Sequence, residues 1–128
     1  MKLLLDTHIF LWFISGDQRL PEDKREYICD PDNDIYLSVV SIWEAIIKYQ
    51  LGKLPLPEPP EKYLPIQRER HEILSLPLDE ASVSHLTQLP AIHRDPFDRM
   101  LICQSNVHNL PILTVDEIIQ KYPVHIFV

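Results

Sequence analysis

The sequence is poor in cysteine and has no long apolar run. Its two cysteines, Cys29 and Cys103, lie far apart and form no CxxC pair, which predicts free thiols in a reducing compartment rather than a disulfide or a zinc site. No apolar stretch approaches the roughly 20 residues that span a bilayer, and Asp6 interrupts the apolar amino terminus before a signal-peptide core can form. We therefore expect a cytosolic protein that contacts no membrane.

Positive charge is also scarce. The 128 residues include 12 lysines and arginines against 19 aspartates and glutamates, a net charge of −7. This balance argues against nonspecific binding of nucleic acid over the whole surface, because such binding requires cationic side chains that contact the phosphates. A local contact with nucleic acid remains open. The six histidines show no HxH or HExxH spacing, so a zinc enzyme of that kind is not expected.

Short apolar segments alternate with helix-patterned segments along the chain. Strands are predicted at residues 3–5, 34–40, 72–77, 110–114 and 124–128. Helices are predicted at residues 8–14, 21–29, 42–51, 61–70, 79–88, 96–107 and 115–121. Strand–helix alternation predicts a three-layer α/β/α fold with a mostly parallel central sheet of about five short strands, formed by one domain over residues 1–128.

Four acids stand where helices follow strands or loops: Asp6, Glu44, Asp98 and Asp116. Each has an ordinary structural explanation. Asp6 and Asp116 are possible helix caps, Glu44 completes a capping box with Ser41, and Asp98 favours the positive end of a helix. In a parallel sheet, however, helices that follow strands begin at one edge, which brings the acids after three of the strands towards a common rim. Converging carboxylates raise one another's pKa values or require a cation, and oxygen ligands suit Mg²⁺ or Mn²⁺.

Four longer stretches of sequence identify a family more specifically than any single acid does: LLLDTHIFLWF, SVVSIWEAIIKYQLGKL, HRDPFDRMLICQS and LPILTVD. In order, spacing and flanking residues, the chain resembles the PIN domain family along its whole length, and within it the toxin nucleases of VapC type from toxin–antitoxin pairs. The resemblance implies a parallel-sheet α/β domain that cleaves RNA with Mg²⁺ or Mn²⁺. It also implies a small antitoxin as partner and a homodimeric toxin.

Residue by residue, the resemblance makes Asp6, Glu44, Asp98 and Asp116 the metal-binding and catalytic acids. The segment HRDPFDR also contains Asp95, which is well explained as the cap before Pro96, so we expect Asp98 to be the ligand and Asp95 to support it. Further candidates for contacts to the acids or the substrate are Thr7, Thr114 and Arg99, together with His93 and Arg94. Lys48, one turn after Glu44, is expected to pair with it.

The segment at residues 9–14 is apolar on every side of its predicted helix. Part of it should be covered by another element or another chain, and Trp12, Phe13 and Trp43 are the candidate anchors for a partner. Core packing is the alternative for all three.

A phosphotransferase of the haloacid-dehalogenase type also begins with an apolar strand ending in Asp, but it requires a second Asp two residues later, where this chain has His8. A non-catalytic module that keeps the fold and binds a protein remains the main alternative. The chain has all four acids, and a non-catalytic module has no chemical reason to keep them, which favours the nuclease interpretation.

Overall fold

Short apolar segments form the centre of the molecule. We describe a computed structural model that covers residues 1–92 and 95–127. The strands are β1 (Lys2–Leu5), β2 (Asp34–Ser38), β3 (Leu74–Leu76), β4 (Ile112–Leu113) and β5 (Ile126–Phe127). The helices are α1 (Thr7–Ser15), α2 (Glu22–Cys29), α3 (Val39–Gln50), α4 (Pro60–Arg70), α5 (Glu80–Ser84) and α6 (Pro96–His108). There are also two short 3-10 helices. One, His85–Gln88, follows α5, and the other, Ile119–Lys121, precedes β5.

All strand pairs are parallel, and the strand order is β3-β2-β1-β4-β5. Alternate residues of β1 point to opposite faces, as the two-residue period of a strand requires. Leu3 and Leu5 pack with α1 and α2, whereas Leu4 packs with α6. Helices therefore cover both faces of the sheet, which confirms the three-layer α/β/α prediction.

The order of the strands reverses at β1. β2 and β3 extend the sheet on one side of β1, and the chain then crosses to place β4 and β5 on the other side. In open α/β sheets, such a switch point leaves a crevice at the carboxyl ends of the two strands concerned. The residues that follow β1 and β4 therefore face each other across this crevice.

The predicted start of α3 was wrong. β2 ends at Ser38 and α3 begins at Val39, because the Ser38 hydroxyl accepts a hydrogen bond from the Val40 N–H at 3.0 Å and caps the helix. Ser41 is consequently the third residue of the helix, and it forms no capping box with Glu44. This shift frees the carboxylate of Glu44 from a capping role.

The last predicted helix, at residues 115–121, was also largely wrong. Only Ile119–Lys121 is helical, as a 3-10 turn. Thr114 Oγ1 accepts from the Asp116 N–H at 3.0 Å, and Asp116 Oδ1 accepts from the Ile118 N–H at 2.8 Å. These local side-chain bonds occupy the amides that a helix would use.

The segment predicted as one helix at residues 79–88 is divided into α5 and a 3-10 helix. The remaining predicted helices are present with ends shifted by a few residues. In the described residues, no helix is both long enough and apolar enough to cross a bilayer.

Candidate functional site

Asp6 lies directly after β1 and is 3% exposed. It occupies the cap position of α1, but its side chain makes no capping bond, so the capping explanation was wrong for this residue. Asp6 Oδ2 accepts from Thr114 Oγ1 at 2.7 Å, and the buried Oδ1 has no hydrogen-bond partner in the described part of the chain. Burial raises the pKa of Asp6 above 3.8, the Thr114 bond opposes this, and the charge of Glu44 raises it further. A buried carboxylate oxygen without a partner is costly unless a cation meets it.

Glu44 is 2% exposed and lies on the side of α3 that faces the crevice. Its Oε1 accepts from Thr7 Oγ1 at 2.8 Å, and the Thr7 hydroxyl is also hydrogen bonded to the Ser41 hydroxyl at 2.8 Å. Its Oε2 forms an ion pair with Lys48, as predicted. Burial lowers the pKa of Lys48, but this ion pair, together with the charges of Asp95 and Asp98, more than offsets burial, and the net pKa is raised. Both carboxylate oxygens of Glu44 are therefore held in place by neighbouring side chains.

Asp95 and Asp98 stand at the start of α6. Asp95 Oδ1 accepts from the N–H groups of Phe97 and Asp98, at 2.9 and 3.3 Å, which confirms its expected capping role. Carboxylate oxygens of Glu44, Asp95 and Asp98 all lie within 4.8 Å of one another. Asp95 is therefore both a cap and a member of this cluster.

Asp98 is 8% exposed and is surrounded by negative charge. Burial raises its pKa to about 8, with further contributions from the charges of Asp6, Asp95, Glu44 and Asp116. The site thus brings together, around Asp98, all of the acids that the sequence singled out. Below, the name acid cluster refers to Asp6, Glu44, Asp95, Asp98 and Asp116.

Asp116 is half-buried and lies three residues after β4. Its backbone N–H donates to the same Thr114 hydroxyl that donates to Asp6, so one threonine side chain joins the segments after β1 and β4. The carboxylate Oδ1 of Asp116 accepts a hydrogen bond from the Ile118 N–H. Asp116 was expected to cap a helix, but this bond stabilises a local turn instead.

The donor set of the acid cluster fits a divalent cation. Its ligating atoms are carboxylate oxygens, of which Asp6 Oδ1 is buried without a hydrogen-bond partner among the described residues, and burial, with the neighbouring negative charges, raises the pKa values of Asp6 and Asp98. A cation at this position would lower the cost of ionising these acids. Hard oxygen ligands favour Mg²⁺ or Mn²⁺ over Zn²⁺.

The remaining predicted site residues are dispersed around this centre. Arg99 is half-buried on α6, one residue after Asp98, while His93 and Arg94 lie outside the described residues. Phe13 is 6% exposed and packs within the core, so it has no surface with which to anchor a partner. Trp12 is half-buried and lies under the Arg19 guanidinium, 5.0 Å from the ring centroid.

Trp43 is 52% exposed, and its ring contacts the edge of Phe97 at 4.9 Å between centroids. It forms part of an apolar stripe on α3, with exposed side chains at four-residue intervals: Val39, Trp43, Ile47 and Leu51. Below, this surface is called the α3 stripe.

Sequence reasoning missed two features of the site. It assigned Ser41 to a capping box, whereas the Ser41 hydroxyl supports Thr7 beside Glu44. It also gave no signal for Lys53, which lines a cavity next to Glu44. A lysine in a loop of leucines and prolines has the sequence appearance of an ordinary solvated residue.

Comparisons with known proteins identify the family and the fold of the chain. Residues 3–124 match the model of the PIN domain. A segment of 63 residues is 41% identical to Ribonuclease VapC16 of Mycobacterium tuberculosis (strain ATCC 25618 / H37Rv); it covers 49% of this chain and 45% of that relative. The match thus spans less than half the length of that relative.

Two solved structures share the fold over nearly the whole chain. VapBC2 from Rickettsia felis, bound to a DNA fragment from their promoter, aligns with a TM-score of 0.73 at 17% identity, over 98% of this chain and 96% of that one. FitAB bound to an IR36 DNA fragment aligns with a TM-score of 0.61 at 18% identity, over 99% and 94% of the two chains. At these identities, the likeness concerns the fold.

Proposed function

The chain belongs to the PIN domain family, and we propose that it is a metal-dependent endoribonuclease of the VapC type, acting as the toxin of a toxin–antitoxin pair. The observation that carries this proposal is the acid cluster at the switch point of the sheet, with a buried oxygen of Asp6 that lacks a partner in the described chain. The name of the relative, Ribonuclease VapC16, supports the choice of reaction.

In the proposed mechanism, Asp6, Glu44, Asp98 and Asp116 would hold Mg²⁺ or Mn²⁺. The bound ion would polarise an RNA phosphodiester and lower the pKa of an attacking water.

The other side chains place these acids. Thr114 orients Asp6 by donating to Oδ2, and Thr7 orients Glu44 by donating to Oε1. Asp95 fixes the first turn of α6 and hence the position of Asp98. Such contacts determine ligand geometry in metal sites.

A small antitoxin is the proposed protein partner, and a homodimer is the proposed state of the toxin. VapBC2 and FitAB, the structural neighbours, are named as two-component assemblies. The α3 stripe supports contact with another chain, because a helix with a contiguous exposed apolar face favours burial against a second surface. Molar mass measured by light scattering, compared between the wild type and Ile47→Glu, tests the homodimer.

A second candidate is a non-catalytic module that uses the same fold to bind a protein. The α3 stripe favours this alternative, since its apolar side chains have no part in hydrolysis.

Incubation of the purified, partner-free chain with labelled single-stranded RNA separates the two candidates. The reaction contains Mg²⁺ or Mn²⁺, and EDTA and Asp6→Asn serve as parallel controls. We expect cleavage by the wild type and its loss in both controls. A folded wild-type chain that binds Mn²⁺ yet leaves every RNA intact would favour the binding module.

A further inference from the structure

A small cavity lies beside the acid cluster, between α1 and the end of α3. It encloses about 230 Å³. Glu44 and Lys48 line it from α3, His8 and Leu11 from α1, and Lys53 and Leu54 from the turn that follows α3. Because Glu44 belongs to both, the cavity adjoins the proposed metal site directly.

The wall of this cavity carries positive charge in an otherwise acidic protein. The ammonium group of Lys48 is paired with Glu44. Lys53 is exposed, and within residues 1–92 and 95–127 its ammonium forms no ion pair. A cation that is not neutralised by the protein attracts an anion such as a phosphate, and this local attraction is independent of the net charge of −7.

The backbone of Lys53 is fixed relative to α3. Its N–H donates to the carbonyl of Lys48 at 2.9 Å, and the N–H of Gly52 donates to the carbonyl of Tyr49 at 3.0 Å. Gly52 supplies the left-handed conformation that this helix end requires, with a φ of 70°. The ammonium of Lys53 is thus tethered to a rigid turn on the same helix that carries Glu44.

The other walls suit the uncharged part of a nucleotide. Leu11 and Leu54 are half-buried and present apolar surface to the cavity. Of the rings on α1, that of His8 lines the cavity, and its centroid lies 6.2 Å from that of Trp12, which is outside the lining. Aromatic rings beside a cationic groove are the usual means by which proteins hold unpaired bases without reading their sequence.

The size of the cavity limits its occupant. A volume of about 230 Å³ is smaller than the roughly 300–1,000 Å³ of typical pockets for drug-sized ligands. It matches a single nucleotide unit better than a folded segment of protein.

We infer that this cavity is a subsite for one nucleotide of the RNA strand next to the scissile phosphodiester, in which Lys53 contacts the backbone phosphate and Leu11 and Leu54 contact the sugar and base. The inference rests on the proposed function and adds to it a binding site on one side of the metal centre. Lys53 acts in binding and has no part in the chemical step.

The test compares Lys53→Ala and Lys53→Arg with Lys2→Ala. Lys2 is an exposed lysine at the opposite end of β1, so its removal changes the net charge equally without touching the cavity. The probe is a fluorescein-labelled single-stranded RNA of mixed sequence, and binding is followed by anisotropy over a series of salt concentrations. Ca²⁺ replaces Mg²⁺ so that a cation occupies the acid cluster while cleavage is slowed, and electrophoresis verifies that the strand stays intact.

We expect Lys53→Ala to weaken RNA binding roughly fivefold to tenfold. The slope of log K against log salt should become shallower by about 0.7, the value for one phosphate contact on a single strand. Lys53→Arg should restore both quantities, and Lys2→Ala should leave both near the wild type. In Mg²⁺, Lys53→Ala should raise KM and leave kcat nearly unchanged.

Two results overturn the subsite alone. If the wild type cleaves RNA and Lys53→Ala binds it with unchanged affinity and salt slope, the cavity is no part of the RNA path. If Lys53→Ala instead weakens only the complex with the antitoxin, the cavity belongs to the protein interface. A wild-type chain that neither binds nor cleaves RNA overturns the proposed function, and the subsite with it.

Discussion

The two edges of the central sheet both carry acids, yet they differ in access to water. At the amino-terminal edge, Asp30, Asp34 and Glu72 are exposed and surround a cavity of about 220 Å³. At the carboxyl-terminal edge, Asp6 and Glu44 are almost completely buried beside a cavity of similar size, about 230 Å³. Water solvates the first group, whereas hydroxyl donors and a lysine stabilise the second, and under the proposed function a cation would do so as well. Burial of carboxylates, rather than their number, therefore distinguishes the edge at which we propose the metal site.

The largest contrast between the edges should appear in RNA cleavage. We expect Asp98→Asn to reduce cleavage by about 100-fold or more, because a proposed metal ligand is lost. The same change at the other edge, Asp34→Asn, should leave cleavage near the wild type. Initial rates in Mg²⁺ or Mn²⁺, with circular dichroism to confirm folding, measure both. Equal rates for the two variants would remove the distinction between the edges.

Metal binding should also separate the edges. At a Mn²⁺ concentration about 100 times the dissociation constant, we expect the melting temperature of the wild type to rise by about 10 °C. Asp34→Asn should keep this shift, and Asp6→Asn should lose most of it, because Asp6 supplies the buried oxygen that has no partner among the described residues. Differential scanning fluorimetry with and without EDTA gives the values. An unchanged shift in Asp6→Asn would place the cation elsewhere.

The two edges also differ in hydrogen bonding. The buried acids Glu44 and Asp6 accept hydrogen bonds from the hydroxyls of Thr7 and Thr114. Thr7→Val keeps the shape of the side chain and removes the donor to Glu44. We expect cleavage to fall roughly tenfold and Mn²⁺ affinity to weaken by a similar factor, as for other residues that orient metal ligands. Ser75→Val, at an exposed position of β3, is the control. A loss of cleavage without a change in Mn²⁺ affinity would argue against this orienting role.

The smallest expected effect concerns the stability of the metal-free protein. The pKa of Asp98 is about 8 in the folded chain against an ordinary value of 3.8, so between these values the folded state holds a proton that the unfolded chain has released. Its contribution to stability is fully present below about pH 4 and is lost as the pH rises through about 8.

In EDTA, we therefore expect Asp98→Asn to raise the melting temperature by a few degrees near pH 9 and by less near pH 5. Melting curves at both pH values test this expectation. A melting temperature that falls by several degrees at both would indicate that Asp98 acts mainly as a helix-end residue.

Much of the fold follows from the sequence because the strands are short, apolar and bounded by polar or proline residues. Asp6 could be placed at the carboxyl edge from the apolar run before it, and Asp95 could be identified as a cap from the proline after it. The approach of Asp98 to Glu44 was expected only from the family resemblance, because the strand–helix pattern does not say how α6 packs against α3.

Other predictions failed because side chains compete for the same backbone amides. The sequence predicted Ser41 as the cap of α3, whereas in the structure Ser38 caps this helix and Ser41 supports Thr7. The helix predicted after Thr114 fails for a similar reason, since Thr114 and Asp116 engage the local N–H groups. Periodicity of apolar residues carries no information about this competition.

The hydrogen bond between Thr114 and Asp6 also bears on how the protein is made. It joins residues separated by 108 positions, and β1 acquires its neighbour β4 only when residues 112–113 have been synthesised. During translation, the amino-terminal segment leaves the ribosome first, and a contact of such long range forms late in folding. A nascent chain that ends before this point lacks Asp116 as well as the donor to Asp6. The complete acid cluster can therefore form only after the chain has been synthesised as far as Asp116.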